Sequence, residues 1–174
     1  MGIRIAVSGA AGRMGRNVVR LVLEDPELEL AAALERTDHP EIGRDAGLVA
    51  GTGNECGVPL APSAGDDVDC YIVYSTPEAT MAVLGEAVER KAAMVAGTTG
   101  LDAEQTARFD EAAEKIPLIF APNTGVGANL LIKLASQAAR ILGAGYDIEV
   151  VEAHHHDKAD APSGTALRLA AAVA

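Results

Sequence analysis

The feature that most constrains the fold is a glycine-rich turn between a short β-branched run and an amphipathic helical pattern. Ile3 to Val7 forms the β-branched run. Three glycines follow at the spacing GxxGxxG, namely Gly9, Gly12 and Gly15. Glycines placed in this way permit a tight turn, a close approach of the backbone to a ligand, and close packing of the helix on the strand. The pattern therefore predicts a strand, a binding loop and a helix.

Strand-like and helix-like patterns alternate along the rest of the chain. Further strands are predicted at Leu28 to Leu34, Val58 to Leu60, Cys70 to Tyr74, Ala93 to Ala96, Leu118 to Ala121 and Tyr146 to Ala153. Helices are predicted after the glycine turn, from Pro77, over Asp102 to Lys115, around Leu130 to a stop at Gly143, and from Gly164, with residues 37–67 mostly loop. This alternation predicts a Rossmann-type α/β fold, a doubly wound parallel sheet that binds ligands at the carboxyl ends of its strands.

Composition excludes several classes of partner. The net charge of -11 and an aromatic content of 3%, with no tryptophan, argue against binding of nucleic acid. No apolar stretch approaches the roughly 18 residues of a membrane span, and no secretory leader pattern precedes the first strand. Two cysteines, Cys56 and Cys70, are too few for a disulfide framework. We expect a soluble cytoplasmic protein that binds neither nucleic acid nor membrane.

The glycine turn has the context of a dinucleotide site. A helix N-terminus offers free N–H groups and a positive dipole end to a pyrophosphate. Glu35 stands about 20 residues further on, where an acid binds ribose hydroxyls, and Arg36 could hold a 2′-phosphate, so both NADH and NADPH are candidates. A mononucleotide site or an empty scaffold is the alternative. The predicted cofactor loop comprises Gly9, Ala10, Ala11, Gly12, Arg13, Met14 and Gly15.

Two further loops follow predicted strands and could border the nicotinamide. Small side chains and free backbone groups at strand ends suit a flat ring that lies across the sheet. Ordinary βα turns are an equally good interpretation of both loops. The candidate residues are Gly97, Thr98, Thr99, Ala121, Pro122, Asn123 and Thr124.

Residues 152–165 carry the chemistry-bearing pattern, with three of the four histidines and a lysine. A metal site is disfavoured because adjacent residues such as His154 and His155 point to opposite faces of a strand. Ser163 reads as an N-cap, so the helix N-terminus that follows, with the Thr165 hydroxyl, could hold a carboxylate. With Lys158 as a cation and a histidine as proton donor, the set suits reduction of a C=N or C=C bond in a dicarboxylate. A solvated polar loop is the alternative.

The same segment resembles the signature of a known family. His154-His155-x-x-Lys158-x-Asp160-Ala161-Pro162-Ser163-Gly164-Thr165-Ala166 is similar to the long motif of the dihydrodipicolinate reductases. The glycine loop, the pair Glu35-Arg36 and the run Gly97-Thr98-Thr99-Gly100 resemble that family in the same order. The resemblance covers essentially the whole chain. Departures from the family lie at Val73-Tyr74-Ser75, at Thr76, where some members place an arginine near the cofactor, and at Asn123-Thr124-Gly125.

The resemblance implies a function and a domain plan. It implies NAD(P)H-dependent reduction of 4-hydroxy-tetrahydrodipicolinate to tetrahydrodipicolinate in diaminopimelate and lysine biosynthesis. Residues 1–125 would form the dinucleotide-binding domain, and residues 126–174 the incomplete beginning of an α+β substrate and tetramerisation domain. The full-length protein would be a homotetramer, and this chain would be a C-terminally truncated piece.

The resemblance also implies residue roles. His154 would be the proton donor, and Lys158 a second catalytic or substrate-anchoring group. His155, Gly164 and Thr165 would bind substrate carboxylates. Two alternatives stay open, namely a related reductase of another imine or keto acid, and a non-catalytic nucleotide-binding module.

Overall fold

The computed structural model describes residues 2–65, 67–121, 123–154, 156 and 161–174. Three residues predicted for the site, Pro122, His155 and Lys158, lie outside the described residues. The chain divides into two compact units, Met1–Ala121 and Pro122–Ala174.

The first unit is a parallel sheet with helices between its strands. The strands are β1 (Ile3–Ser8), β2 (Leu28–Leu34), β3 (Leu60–Ala61), β4 (Cys70–Val73), β5 (Ala93–Ala96) and β6 (Leu118–Phe120). The helices are α1 (Arg13–Glu24), α2 (Ala46–Ala50), α3 (Pro77–Arg90) and α4 (Ala103–Ala113). The spatial order is β3-β2-β1-β4-β5-β6, and all five pairings are parallel. The predicted α/β class is confirmed, and the strand order reverses between β1 and β4, where such sheets bind ligands.

The central strands of the sheet are buried on both faces, as their apolar sequences predict, whereas Ile119 of the edge strand β6 is 57% exposed. Successive β1 residues point to opposite sides. Ile5 and Val7 pack with Val19 of α1, whereas Ala6 packs in the other cluster with Tyr71 of β4 and Leu84 of α3. Because helices cover both faces, the strands read as nearly continuous apolar runs rather than as alternating ones.

Residues 37–67 contain more structure than the loop that the sequence predicts. Helix α2 is only five residues long, too short for a periodic apolar pattern. It is organised by the Asp45 carboxylate, which accepts hydrogen bonds from the backbone N–H groups of Gly47, Leu48, Cys56 and Gly57. Burial would raise the pKa of Asp45, but these hydrogen bonds outweigh it and lower the pKa below its usual value.

Element ends differ from prediction by a residue or two. Strand β3 lies at Leu60–Ala61 rather than ending at Leu60, and β6 ends at Phe120. Helix α4 ends at Ala113, two residues before Lys115, and Asp102 forms a capping box with Gln105 at its start. Differences of this size are expected because helix and strand ends fray.

The described residues of the second unit form two helices and irregular backbone. They are α5 (Val126–Leu142) and α6 (Gly164–Val173), and a single 3₁₀ turn, Gly143–Gly145, follows α5. Gly143 ends α5 and Gly164 begins α6, as predicted. None of the described helices in either unit has the length and apolar content that a membrane crossing requires.

The predicted strand from Tyr146 to Ala153 is wrong. Residues 146–154 are described, and none belongs to a strand. A strand needs a neighbouring strand for its hydrogen-bond ladder, and the described part of the second unit holds no other strand. The β-branched pattern is therefore present without a pairing partner, and Val151 is 90% exposed.

Candidate functional site

The turn between β1 and α1 depends on glycine at position 9. Gly9 has a φ of 76°, and a Cβ there would lie 2.2 Å from the carbonyl oxygen of Tyr74. The N–H groups of Gly9 and Ala10 both donate to the carbonyl oxygen of Leu34, at 3.0 and 3.1 Å. The loop is thus fixed across the carboxyl ends of three neighbouring strands, β1, β2 and β4.

The other two glycines shape the start of α1. Gly12 is the N-cap, and no described side chain caps the helix. A Cβ at Gly15 would lie 1.9 Å from the carbonyl oxygen of Gly9, so the first turn of α1 is pressed against the loop. Arg13 and Met14 begin the helix and are exposed. The helix N-terminus therefore lies uncapped beside the carboxyl end of the central strand β1, which is a favourable place for an anion.

The two alanines of the loop contribute backbone rather than side chains. Ala10 and Ala11 are 2% and 7% exposed, so their methyl groups belong to the core. The N–H of Ala10 is used by Leu34, whereas the N–H of Ala11 donates to Glu35 Oε2 at 3.2 Å. Of the two, only Ala11 presents its N–H to a side chain at the site.

Glu35 lies where the sequence places it, directly after β2 and against the glycine loop. Besides its bond to Ala11, its Oε1 accepts a hydrogen bond from the N–H of Arg36 at 3.2 Å. The Arg36 side chain points to solvent and pairs with Asp38 at 3.2 Å, with both side chains at least 70% exposed. An exposed pair of this kind is weak, so Arg36 can change partner at little cost.

A cleft of about 560 Å³ runs from the glycine loop past Glu35 to the start of α3. Besides Gly9, Gly12, Glu35 and Arg36, its walls include Thr76, which the family resemblance placed near the cofactor. They also include residues that were not predicted for the site, namely His39, Pro62, Tyr74 and Ser75. Tyr74 and Ser75 follow β4 directly, so the rule that ligands bind at the carboxyl ends of strands could have found them. The volume is in the range of a cofactor pocket.

Tyr74 and Gly97 bring the ends of β4 and β5 together. A Cβ at Gly97 would lie 2.2 Å from Cε1 of the Tyr74 ring, so the ring rests on the glycine backbone. The N–H of Gly97 donates to the carbonyl oxygen of Val73 at 2.9 Å. Gly97 therefore gives Tyr74 its place in the cleft wall, a role that the loop sequence alone does not reveal.

The hydroxyl of Thr98 faces the interior. Thr98 is 3% exposed, and its Oγ1 lies 2.7 Å from Oγ1 of the fully buried Thr80. The Thr80 hydroxyl in turn lies 3.1 Å from Oγ of Ser75. A ligand can therefore reach Thr98 only through its backbone, whereas Thr99 is exposed.

The loop after β6 is divided between the two units. Ala121 ends the first unit, and its N–H donates to the carbonyl oxygen of Ala96 at 2.9 Å. In the second unit, Asn123 Nδ2 donates to Thr165 Oγ1 at 2.9 Å, and its Oδ1 accepts from the N–H of Gly125. Asn123 is thus tied to the start of α6, close to residues predicted to bind substrate.

A polar cluster surrounds the start of α6. Ser163 is the N-cap, as predicted, and its Oγ accepts a hydrogen bond from the N–H of Ala166 at 3.1 Å. Glu152 accepts from both the N–H and the hydroxyl of Ser163, at 2.8 and 2.6 Å. Nδ1 of His154 lies 3.5 Å from Glu152 Oε2. The structure thus brings His154 near the turn that contains Gly164 and Thr165.

Glu152 is a member of this cluster that sequence reasoning did not select. It stands two residues before His154, and side chains at this spacing share a face in extended backbone. That spacing was the available signal.

Known proteins resemble the chain along its whole length. A family model described as dihydrodipicolinate reductase, N-terminus, matches residues 3–124, and one described as dihydrodipicolinate reductase, C-terminus, matches residues 127–174. The 4-hydroxy-tetrahydrodipicolinate reductase of Bordetella parapertussis is 47% identical over 98% of this chain and 64% of its own length. That of Methylococcus capsulatus is 48% identical over 100% of this chain and 65% of its own.

A solved structure agrees. The dipicolinate-bound dihydrodipicolinate reductase of a Paenisporosarcina species superposes with a TM-score of 0.73 at 31% identity, over 100% of this chain and 66% of that one. The chain therefore spans slightly less than two thirds of the length of these relatives. With both family models matched and such identity sustained from end to end, the chain belongs to the dihydrodipicolinate reductase family.

Proposed function

We propose that the protein is an NAD(P)H-dependent oxidoreductase that reduces 4-hydroxy-tetrahydrodipicolinate to tetrahydrodipicolinate in diaminopimelate and lysine biosynthesis. The observation that carries the proposal is the cleft at the switch point of the sheet, where the Glu35 carboxylate meets the glycine loop at the Ala11 N–H. The relatives' names supply the substrate.

The cofactor would bind to the first unit, within a dinucleotide-binding domain of residues 1–125. The uncapped start of α1, with Gly12 at its N-cap, would receive the pyrophosphate, because no Cβ there blocks the approach. The Glu35 carboxylate would exchange its bond with Ala11 for the ribose hydroxyls. Arg36 would leave Asp38 for a 2′-phosphate, which would allow NADPH as well as NADH. When bound, the reduced nicotinamide supplies the hydride.

The nicotinamide end of the cofactor would lie toward the loops after β5 and β6. Gly97, whose backbone supports the Tyr74 ring, would contribute to this end together with the exposed Thr99. Thr98 would contribute backbone groups only, since its hydroxyl is bonded to Thr80. The remaining residues proposed for cofactor contact are Ala10, Arg13, Met14, Gly15, Ala121, Pro122, Asn123 and Thr124.

Residues 126–174, the beginning of the substrate domain in this proposal, would bind the dicarboxylate. The start of α6 offers a positive dipole end and the backbone of Gly164 and Thr165. Because Thr165 Oγ1 accepts a hydrogen bond from Asn123, its own proton remains available to donate to a substrate carboxylate. His155, which lies outside the described residues, would add a further carboxylate contact.

His154 would deliver the proton. The 4-hydroxyl of the substrate would leave as water and create a conjugated double bond. The hydride and this proton would then add across that bond, which gives tetrahydrodipicolinate and one water. Lys158 would anchor the substrate or assist the transfer, and this role rests on the family resemblance because Lys158 lies outside the described residues.

The proposal extends to location and assembly. Both cysteines, Cys56 and Cys70, are unpaired thiols, as a reducing compartment favours, and a cytoplasmic location is therefore proposed. For a chain of the relatives' full length, a homotetramer is proposed on the family resemblance.

The test is oxidation of NADH and NADPH that depends on substrate made in place by dihydrodipicolinate synthase. It would be run on the 174-residue chain and on a chain extended by the relatives' C-terminal region. Turnover by either chain, abolished in His154→Ala, supports the proposal. The proposal would be overturned if both chains bound the cofactor but did not turn over this substrate, whether they reduced another imine or keto acid or none at all.

A further inference from the structure

We infer that Glu152 is a positioning residue that holds His154 and the first turn of α6 in one fixed arrangement. The inference rests on the proposed function, in which His154 delivers the proton and the turn at residues 163–165 receives a substrate carboxylate. It assigns to Glu152 the role of positioning both His154 and the turn at residues 163–165, without contact of its own with the substrate.

Both carboxylate oxygens of Glu152 accept hydrogen bonds from Ser163. Oε1 accepts from the Ser163 N–H at 2.8 Å, and Oε2 accepts from the Ser163 hydroxyl at 2.6 Å. Hydrogen bonds to an ionised acceptor are shorter and about twice as strong as neutral ones, and two parallel bonds fix an orientation. Ser163 is only 8% exposed, so water competes little for these donors.

These two hydrogen bonds orient the Ser163 side chain that caps α6. A serine hydroxyl has one proton and can rotate freely. Here the proton is given to Glu152, so the lone pairs of Ser163 Oγ are turned toward the N–H of Ala166, which donates to it at 3.1 Å. The position of the intervening residues Gly164 and Thr165 is thereby set by the carboxylate eleven residues earlier.

The same carboxylate faces the proposed proton donor. Nδ1 of His154 lies 3.5 Å from Oε2, the oxygen that also holds the Ser163 hydroxyl. The partner of one imidazole nitrogen decides the ring orientation and which nitrogen is presented elsewhere. With Nδ1 turned to Glu152, Nε2 on the other side of the ring is the nitrogen that can serve a substrate.

A simple helix-capping role makes a different prediction. Capping requires only that the Ser163 hydroxyl accept from Ala166, and a substitution that spoils it lowers stability without a specific effect on His154. A positioning role requires that loss of the Glu152 charge also disturb the imidazole. The two readings are separated by what happens to His154.

The variants follow from the geometry. Glu152→Gln keeps the shape but turns one acceptor oxygen into an NH₂ group, which cannot accept from Ser163. Ser163→Ala removes the cap and keeps the carboxylate. Glu149→Gln is the matched control. Glu149 stands three residues before Glu152 and is exposed, so the substitution removes the same charge from solvent.

The first measurement is the long-range ¹H–¹⁵N spectrum of the His154 imidazole, with the Thr165 amide, in the ¹⁵N-labelled 174-residue chain. Glu152→Gln is expected to move both sets of signals, Ser163→Ala chiefly the Thr165 amide, and Glu149→Gln neither. This readout needs no turnover, so it separates failure of the inference from failure of the proposed function.

The second measurement is steady-state kinetics on whichever chain turns over. Glu152→Gln is expected to lower kcat about 10- to 100-fold, the range found when a metal-ligating histidine loses the partner that orients it. KM for the dicarboxylate should rise severalfold and KM for NADH should stay within about twofold. Unchanged His154 signals in folded Glu152→Gln, or signals and kinetics that change equally in Ser163→Ala, would overturn the inference.

Discussion

Gly15 and Gly9 are packed so closely that a Cβ at Gly15 would lie 1.9 Å from the carbonyl oxygen of Gly9. This contact joins the first turn of α1 to the loop that we propose for the pyrophosphate. The clash is with backbone, which cannot rotate away as a side chain can, so a side chain at position 15 must displace the helix from the loop.

Gly15→Ala is therefore expected to destabilise the protein by about 1–3 kcal/mol, the usual cost of overpacking, and to weaken NADH binding at least tenfold. Gly85→Ala, in the middle of α3, is the control, because a Cβ there meets nothing within 4 Å. It should gain roughly 0.5–1 kcal/mol from helix propensity. Urea unfolding and a fluorescence titration with NADH measure both effects, and equal behaviour of the two variants would contradict the packing argument.

The buried hydroxyl pair gives a second prediction. Thr80→Val should cost about 1–3 kcal/mol, because it leaves the Thr98 hydroxyl buried without its partner at 2.7 Å. Thr80→Val combined with Thr98→Val should recover part of the loss, since both polar groups are then absent. Urea unfolding of the single and double variants completes the cycle, and strictly additive losses would show that the two hydroxyls are not coupled.

The Asp45 carboxylate predicts a dependence of stability on pH. Its folded-state pKa lies below the unfolded-state value of about 4, because four backbone hydrogen bonds outweigh the effect of burial. Its contribution is therefore fully present above pH 4 and is lost as the pH falls through the folded-state pKa. Asp45→Asn should lower stability at pH 7 and approach the wild type below pH 4.

Urea unfolding between pH 3 and pH 7 checks this. Asp110→Asn, on the exposed side of α4, serves as the control and should follow the wild type throughout. A difference between Asp45→Asn and the wild type that does not change with pH would rule out the carboxylate as its cause.

Arg36 predicts cofactor preference. Because it is exposed and only weakly paired with Asp38, Arg36→Ala should leave folding unchanged and raise KM for NADPH about tenfold more than KM for NADH. Arg44→Ala, which removes an exposed arginine paired with Glu41, should change neither value. Direct titration with NADH and NADPH gives the same comparison without turnover, and an equal loss for both cofactors would exclude a role at the 2′-phosphate.

Local chemistry determined much of the first unit. Pro77 begins α3 as predicted, because the proline ring fixes φ at a value that suits the first turn of a helix. Ala93–Ala96 forms a strand as predicted, because a short continuous apolar run is typical of a strand in a parallel sheet. The glycine spacing likewise predicts the loop, since a positive φ at Gly9 and the space denied to a Cβ at Gly15 limit those positions to glycine.

Tertiary structure decided the rest, because it depends on partners that are distant in the chain. Tyr146 to Ala153 carries a strand pattern, yet a strand forms only beside another strand, and the described residues around it supply none. The Thr98 hydroxyl points inward because Thr80 is its partner. His154 is arranged by the carboxylate of Glu152, which is itself fixed by hydrogen bonds from Ser163, eleven residues further along the chain. A sequence determines which groups are present and how each segment folds locally, whereas the packing of distant segments decides which groups meet.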